Sequence, residues 1–401
     1  HNIKWIRKIA LSKAHKWMIE HMGRPSGMAA LFPSMVNSAI ALYYMGYDID
    51  NPLIANELKA LEDLKVREEK SEWMQPCLST IWDTAWCLHV LPQLGVPTDH
   101  PALVKTKEFL LSKQVSITGD WQEKISPVPC GGWYFEMENE LYPDTDDTAA
   151  VLLALAPYKH ELRVKKAVDR AIQWLFAMQC KDGGWAAFDY QSNVYECFNY
   201  IPFAEHGALL DPPTADVTGR ILEALSHWGY NVSDKNVQRA IKWILAHQEK
   251  DGTWYGRWGV NYIYGTWAVL CGLKKIGFDM ERSEIKKAVR WILDCQKADG
   301  SWGETCASYT NSAIKGQGDS TASQTAWALL ALDSAGKTSE LAVSRGIHYL
   351  LKNQRKDGSW KEEMFTGTGF PGVCYLKYNL YQNNFPSLAL ARILPKLSGK
   401  S

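Results

Sequence analysis

The chain lacks an excess of either charge. Lys and Arg together number 44 among the 401 residues, and Asp and Glu also number 44. A nucleic-acid-binding domain normally carries a basic excess, so this balance argues against a nucleic-acid partner. With 46% hydrophobic and 22% charged residues, the composition is typical of a globular protein and excludes a disordered one.

Paired cysteines and metal-binding motifs are also missing. The nine cysteines are scattered singly, and none stands in a C-x-x-C arrangement. No Cys/His set has the spacing of a zinc site. We therefore expect free thiols in a reducing compartment and no zinc site.

Long apolar runs are absent as well. No run reaches the roughly 18 residues that a membrane-spanning helix needs. Residues 1–5 lie within an amphipathic pattern that has neither the architecture of a signal peptide nor an initiator Met. We expect the chain to begin inside a longer polypeptide.

Tryptophan, in contrast, is abundant, with 18 residues. Five of them close a recurring segment in which a Gln precedes a Gly and then the Trp. A second column, of Thr residues that open apolar runs, follows nearly the same irregular spacing, so a two-helix unit is repeated. The Gln–Trp pairs are Gln114 and Trp121, Gln179 and Trp185, Gln248 and Trp254, Gln296 and Trp302, and Gln354 and Trp360. The Thr column comprises Thr84, Thr148, Thr218, Thr266 and Thr325.

The two helices of the unit differ in polarity. Before Gln296, Ile285, Ala288 and Val289 follow the spacing of a helix with one buried face. The run that begins at Thr325 is apolar on all sides, as expected of an inner helix. Amphipathic outer helices that alternate with apolar inner ones favour an all-α fold, an α/α barrel, over an open solenoid.

Residues 1–75 carry helical patterning without the Gln–Trp repeat. We predict that they end in a charged helix over residues 56–72, with a boundary at residues 76–79. The sequence thus predicts a partial helical domain over residues 1–75 and a barrel with five repeats over residues 76–401.

Three carboxyl groups, Asp144, Asp146 and Asp147, lie within four residues where an inner helix begins. One Asp suffices to cap a helix. Three crowded carboxyls raise at least one pKa and retain a proton at neutral pH, which makes a Brønsted acid. Arg220, one turn inside the next inner helix, either stabilises the anion left after proton donation or makes an ordinary salt bridge.

Aromatic residues cluster near the starts of the inner helices and in the connecting loops. Each of them alone is more often part of a core. Together they can line a pocket that stabilises cations without offering a base. A strong acid facing such a pocket indicates carbocation chemistry. The residues are Trp82, Trp133, Phe135, Trp258, Tyr262, Tyr264, Phe370, Tyr375, Tyr378 and Tyr381.

These motifs resemble those of the squalene–hopene cyclases, the prokaryotic class II triterpene cyclases. The resemblance covers essentially the whole chain and rests on the repeats, on residues 144–149 (D-T-D-D-T-A) and on residues 211–213 (D-P-P). It implies a double α/α barrel whose first barrel is incomplete here, with residues 1–75 as its C-terminal part and residues 76–401 as the catalytic barrel.

The resemblance also implies a function and a setting. The expected reaction is protonation-initiated polycyclisation of squalene, or of a related polyprene, to hopene or hopanol for hopanoid synthesis. The expected enzyme is an isomerase that needs neither a metal nor another cofactor and is monotopic on the cytoplasmic face of a bacterial membrane. Its oligomeric state stays open, with a homodimer as one alternative.

By resemblance, Asp146 is the proton donor, Asp144 and Asp147 support it, and Tyr264 helps to reprotonate it through water. Arg220 falls where many family members have a His. Two departures from the family pattern are Cys374, in place of an aromatic residue, and Phe188, in place of a Tyr. The residues expected to line the cavity and stabilise cations are Trp82, Phe135, Trp258, Phe370, Tyr378 and Tyr381.

Several alternatives remain open at this stage. An α/α-barrel glycosidase also combines Trp residues with paired carboxylates, and Glu136, Glu138 or Glu140 could supply the second one. A protein prenyltransferase subunit shares the barrel but needs a zinc set that is not seen. A non-catalytic repeat module would leave the three Asp residues without a purpose.

Overall fold

The structure, a computed structural model, describes residues 4–191 and 209–397. It is predominantly helical, with two short hairpins. The α-helices are α1 Lys4–His21, α2 Phe32–Tyr44, α3 Pro52–Asp63, α4 Thr80–Gln93, α5 Pro101–Ser112, α6 Thr145–Leu155, α7 Leu162–Met178, α8 Ala215–Ser226, α9 Lys235–Ala246, α10 Tyr262–Lys275, α11 Ser283–Asp294, α12 Ala322–Ser334, α13 Leu341–Asn353 and α14 Tyr381–Leu397. The strands are β1 Lys65–Glu68, β2 Ser71–Met74, β3 Gly367–Phe370 and β4 Cys374–Leu376.

Six helices form a closed inner ring. In order around the ring, α4, α6, α8, α10, α12 and α14 each pack against the next, and α14 packs back against α4. At the closure, Trp82 Nε1 donates to the Tyr381 hydroxyl at 2.9 Å, and Arg392 Nε donates to Gln93 Oε1 at 2.8 Å. Helices α5, α7, α9, α11 and α13 lie outside the ring. The prediction of an all-α, α/α-barrel fold is confirmed.

The repeated Gln links each outer helix to the next one. Gln296 Nε2 donates to Gly300 O at 2.8 Å and to Ala342 O, in the first turn of α13, at 2.7 Å. Gln179 and Gln248 make the equivalent pair of bonds. The Gln side chain therefore holds its own turn and the start of the following outer helix together.

The repeated Trp and Thr are joined in the same unit. The Trp302 indole Nε1 donates to Ile292 O at 2.7 Å, and its backbone N donates to the Thr325 hydroxyl at 3.1 Å. The same two contacts recur at Trp185 and at Trp254. Each Trp thus ties an outer helix to an inner one, which explains why the two sequence columns keep one spacing.

The first repeat departs from the sequence prediction. Its Trp is Trp133 and not Trp121, because Trp133 Nε1 donates to Leu110 O at 2.6 Å and Trp133 N donates to Thr148 at 2.9 Å. Gln114 correspondingly donates to Gly131 O at 2.8 Å. The turn after Gln114 is longer than in the other repeats. The prediction that Trp121 closes the first repeat is therefore wrong.

The segment before the barrel is partly different from the prediction. Helices α1 to α3 enclose two small hydrophobic clusters of their own. The charged helix predicted over residues 56–72 is wrong beyond Asp63, because strands β1 and β2 pair antiparallel there. Val66 lies opposite Trp73 and Arg67 opposite Glu72, so the charges pair across strands rather than along a helix. The division into residues 1–75 and 76–401 stays a prediction.

Candidate active site

The acid cluster is built by the start of α6. Asp144 has extended backbone and caps the helix, since its Oδ1 accepts the backbone N–H groups of Asp146 at 2.6 Å and Asp147 at 3.1 Å. The turn places all three carboxyl groups within one helical turn, and each of the three residues is buried. The capping role expected for one Asp belongs to Asp144, which leaves the other two for chemistry.

Asp146 pairs with a buried cation. Arg220 Nε donates to Asp146 Oδ1 at 2.6 Å, and the same guanidinium donates to the Tyr264 hydroxyl. Burial raises the pKa of Asp146, and the charge of Arg220 opposes that rise. Because Arg is always protonated in proteins, it supplies a fixed positive charge beside this carboxyl.

Aromatic rings surround the Arg220 guanidinium. Its central carbon lies 5.1 Å from the ring centroid of Trp82, 5.4 Å from Trp86, 5.5 Å from Tyr264 and 5.7 Å from Trp267. Such contacts compensate part of the cost of taking a cation out of water. The prediction of a cation near the acid cluster is therefore met by a buried pair rather than by a surface salt bridge.

Asp147 is held differently. Its Oδ1 is buried and has no hydrogen-bond partner among the described residues. Burial, followed by the charges of Asp144 and Asp146, raises the pKa of Asp147 well above its ordinary value. Burial and the charge of Asp146 do the same for Asp144. Asp144 and Asp147 therefore bind their protons more tightly than exposed carboxyl groups do.

All three carboxyls face one cavity, with an empty volume of about 1180 Å³ that includes some open solvent. Six predicted aromatic residues line it as well. Arg220 and Tyr264 lie behind the acid cluster and do not line the cavity. Cys374 and Phe188, the two departures from the family pattern, line the cavity. The aromatic residues are Trp82, Phe135, Trp258, Phe370, Tyr378 and Tyr381.

The aromatic wall is held by mutual contacts. Tyr378 and Tyr381 stack with ring centroids 4.4 Å apart, and Phe135 meets Tyr378 edge-on at 6.2 Å. Trp258 meets Phe188 edge-on at 5.9 Å. Faces and edges of several rings are thus fixed around one apolar space, an environment that stabilises a positive charge on carbon.

Sequence reasoning missed Glu136 as part of this cavity and considered it only for a glycosidase. Its Oε2 accepts from Leu78 N at 3.0 Å, while its buried Oε1 has no partner within the described ranges. Burial raises its pKa to about 8. Phe135 was predicted to line the cavity, and Glu136 follows it directly. This gave only a weak indication for Glu136, because the side-chain directions in an irregular loop follow neither a helix nor a strand period.

Asp211 and Arg257 were also missed as residues of this cavity. Asp211 Oδ2 accepts from Phe188 N at 2.7 Å, and Arg257 donates to Gly369 O at 3.0 Å. Burial raises the pKa of Asp211 to about 6, and the charge of Arg257 opposes the rise. Both residues line the cavity. Residues 192–208 precede them and lie outside the described part of the chain.

Two features are absent from the described part of the chain. Within residues 4–191 and 209–397, no three His, Cys, Asp or Glu side chains are grouped as ligands of a metal ion would be. In the same ranges, none of the helices combines the length and the apolar character that crossing a membrane requires.

Comparison with known proteins places this site in context. The family model for the squalene-hopene cyclase C-terminal domain matches residues 78–395, and that for the N-terminal domain matches residues 1–70. The squalene–hopene cyclase of Alicyclobacillus acidocaldarius is 44% identical over 389 residues, which cover 96% of this chain and 61% of that protein. The enzyme of Zymomonas mobilis is 40% identical over 406 residues, covering 97% and 61%.

The chain therefore spans about 61% of the length of these relatives. Among solved structures, the type II terpene cyclase MstE from Scytonema superposes with a TM-score of 0.54 at 18% identity, covering 92% of this chain and 98% of that one. At that identity the likeness concerns the fold.

Proposed function

Because the chain belongs to the squalene–hopene cyclase family, we propose that it is a class II triterpene cyclase, which protonates squalene and converts it to hopene or hopanol. The observation that carries the proposal is the juxtaposition of a buried acid with an aromatic cavity. Asp146 is the proton donor, and Asp144 and Asp147 keep the cluster protonated. A cyclase acting on another polyprene is the closest variant of this proposal.

The chemistry follows from the geometry. A carboxylic acid must be strong to protonate an alkene, so the carboxylate it leaves must be stabilised. Arg220, 2.6 Å from Asp146, supplies that stabilisation before the reaction begins and needs no reorganisation. Asp144 and Asp147 hold protons because of burial and mutual repulsion.

The cavity then contains the cations. After protonation, positive charge moves along the folded chain as each alkene attacks the preceding cation. The rings of Trp82, Phe135 and Trp258 line the path and stabilise the charge without forming a bond to it. An apolar wall also keeps out water, which would stop the reaction early.

The contacts of the acidic loop disfavour a glycosidase. Glu138 and Glu140 line a different cavity, and Glu138 is exposed. Glu136 shares the main cavity with the three Asp residues, but most of the wall surface of that cavity is apolar, which suits a hydrocarbon better than a sugar. The sequence relatives point in the same direction.

We also propose monotopic attachment to the cytoplasmic face of a bacterial membrane, and a homodimer. Squalene is insoluble in water, so a cyclase must take it from a lipid phase. Large apolar side chains are exposed on α1, among them Trp5 at 66% and Ile9 at 50%, and exposed apolar surface of this kind favours a lipid or subunit contact. Flotation with lipid vesicles and light scattering in detergent would distinguish the two.

The function is tested by incubating the detergent-solubilised protein with squalene and analysing the extract by gas chromatography and mass spectrometry. Asp146→Asn keeps the size of the side chain and removes the acidic proton. We expect cyclic C30 products from the wild type and none from the variant. Products from neither protein, with squalene or longer polyprenes, would refute the proposal.

A further inference from the structure

A carbocation inside a cavity stops reacting as soon as a base removes a neighbouring proton. The aromatic rings of the main cavity do not act in this way, because they hold a positive charge without accepting a proton from it. A carboxylate does accept one, so each carboxyl group at the cavity affects how far a cyclisation proceeds. Among the described residues, the carboxyl groups that line the main cavity belong to Glu136, Asp144, Asp146, Asp147 and Asp211.

Four of these five carboxyl groups are already engaged. The three of the acid cluster belong to the start of α6 and to the protonation step. Asp211 accepts a hydrogen bond from Phe188 N at 2.7 Å, and the charge of Arg257 opposes the rise of its pKa. A positive charge near a carboxylate makes it a weaker base. Glu136 is the remaining carboxyl, and neither the protonation step nor the aromatic wall uses it.

Glu136 is bound at one carboxyl oxygen and unbound at the other. Its Oε2 accepts from Leu78 N at 3.0 Å, in the segment before α4. Its Oε1 is buried and has no hydrogen-bond partner in the part of the chain that the structure describes. The residue is only 3% exposed. A buried carboxyl that lines a cavity and keeps one oxygen unused is available to the molecule that fills the cavity.

Glu136 lies at the end of the cavity where the reaction starts. Its charge is one of the causes that raise the pKa of Asp147, in the first turn of α6. Phe135, the residue before it, also lines the cavity and meets Tyr378 edge-on at 6.2 Å. Because the first cations form next to the acid cluster, Glu136 lies beside those cations.

The surroundings of Glu136 keep it neutral at pH 7. Burial raises its pKa to about 8, while its contacts with Leu78 N and the Cys77 thiol oppose the rise. Below that pH the side chain is a carboxylic acid and takes up no further proton. Above it, the side chain is a carboxylate in an apolar space, and burial makes such a carboxylate a strong base.

The titratable groups around Glu136 come from three other parts of the fold. They are Cys77 before α4, Asp147 in α6, and Cys374 and Tyr378 near the start of α14. Burial raises the pKa of both thiols and of the Tyr378 hydroxyl above their ordinary values, so these three groups stay largely neutral at pH 9. Among the four, Asp147 is therefore the one whose charge can change together with that of Glu136.

We propose that Glu136 determines how far the cyclisation proceeds: as a neutral acid it lets the first cations react further, and as a carboxylate it removes a proton from them. This inference rests on the proposed function. In the terminating step a C–H bond beside the cationic carbon breaks, its electron pair forms an alkene, and the proton forms an O–H bond on Glu136. The product is still an isomer of squalene, because the substrate gains one proton from Asp146 and loses one to Glu136.

The share of products with one or two rings reports the state of Glu136 and does not depend on how fast the protein turns over. The detergent-solubilised protein is incubated with squalene at pH 6 and at pH 9, and the products are analysed by gas chromatography and mass spectrometry. We expect this share to rise at least fivefold in the wild type between the two pH values. In Glu136→Gln, which keeps the size of the side chain and cannot ionise, the rise should be less than twofold.

Glu138→Gln is the matched control, because Glu138 is an exposed residue of the same loop. Its share of early products should rise with pH as it does in the wild type. An equal rise in the wild type and in Glu136→Gln would overturn the proposal and assign the effect to Asp147. A share that does not change with pH in the wild type would overturn it as well.

A second measurement does not depend on cyclase activity. Dodecyltrimethylammonium carries a permanent positive charge on an alkyl chain, so it probes a cation-binding cavity without titrating itself. Its dissociation constant is measured by isothermal titration calorimetry at pH 6 and at pH 9, in the same detergent. We expect its affinity to increase with pH by a factor at least threefold larger in the wild type and in Glu138→Gln than in Glu136→Gln.

Equal increases in the three proteins would contradict a carboxylate of Glu136 that faces a cation in the cavity. A larger increase in the wild type than in Glu136→Gln, in a protein that makes no cyclic product, would support that carboxylate and refute the proposed function. The two failures are thereby distinguished.

Discussion

Arg220 Nε lies 2.6 Å from Asp146 Oδ1 and joins α8 to the first turn of α6, with both side chains buried. Replacing one member of such a pair leaves a buried charge without its partner. For Arg220→Leu we expect a loss of about 3–5 kcal/mol in the free energy of unfolding. The pKa of Asp146 should rise further, because burial and the charge of Asp216 raise it and the opposing charge of Arg220 is gone. The cyclisation rate should fall about 100-fold, or about 2.7 kcal/mol in activation free energy.

An exposed pair provides the control for Arg220→Leu. Arg290 and Asp294 are one turn apart on α11, 3.0 Å from each other and largely exposed. Solvent screens such a pair, so Arg290→Leu should change the free energy of unfolding by less than about 1 kcal/mol. Denaturant titration of both variants measures the difference. Equal losses would show that burial does not decide the strength of the Arg220 contact.

The repeated Gln residues differ in the number of hydrogen bonds they make, and we expect them to differ in their contribution to stability. Gln296 gives two hydrogen bonds, to Gly300 O and to Ala342 O, whereas Gln354 gives only one within the described residues, to Gly358 O at 2.9 Å. Gln354 is also exposed. We expect Gln296→Ala to lower the free energy of unfolding by about 1–3 kcal/mol, and Gln354→Ala by less than about 1 kcal/mol.

Urea unfolding of the two Gln variants measures this contrast. If the contact with α13 carries the effect, Gln296→Ala should also speed amide exchange in the first turn of α13. Equal stabilities would mean that the repeat is held by the Trp contacts alone.

The sequence predicts the barrel well because its two columns record physical contacts. Gln, Trp and Thr recur together, since a Gln ties two outer helices and a Trp bonds the Thr of an inner one. Of the eleven site residues that the family resemblance implies, nine line one cavity, because the starts of the inner helices and the loops before them meet at one end of the ring.

The rest depends on contacts that local patterns do not encode. Trp121 precedes a long turn, and only the bonds of Trp133 to Leu110 and Thr148 identify the true member of the first repeat. Residues 65–74 form a hairpin that the sequence pattern did not reveal. Its charged residues pair across the two strands, and such pairing leaves no periodic pattern in the sequence. Glu136 lines the cavity because the loop after Trp133 turns back and pairs Trp133 with Asp144, at the start of α6.

Glu136 makes the stability of the protein depend on pH. Its pKa is raised by burial from 4.5 to about 8, so between these values the folded protein holds a proton that the unfolded chain releases. The free energy of unfolding therefore falls as pH rises through this range. Glu136→Gln should make the fall less steep, by up to about 1.4 kcal/mol per pH unit.

Chemical unfolding at pH 5, 6, 7 and 8 measures the slope for Glu136→Gln. Asp144 and Asp147 act in the same direction, so the slope becomes smaller and does not vanish. Glu138→Gln, which changes an exposed residue of the same loop, should leave the slope as it is in the wild type. A steeper slope in Glu136→Gln would contradict the burial of a neutral carboxyl.

The last prediction concerns the product. Cys374 lines the cavity beside Phe370, at a position where family resemblance implies an aromatic ring, and its thiol stabilises a cation less than a ring does. We expect the wild type to release a share of incompletely cyclised terpene, and Cys374→Phe to reduce that share at least twofold. Gas chromatography of the products measures the ratio, and Cys374→Ala separates the gain of a ring from the loss of the thiol. An unchanged ratio in Cys374→Phe would mean that the late cation forms away from this wall.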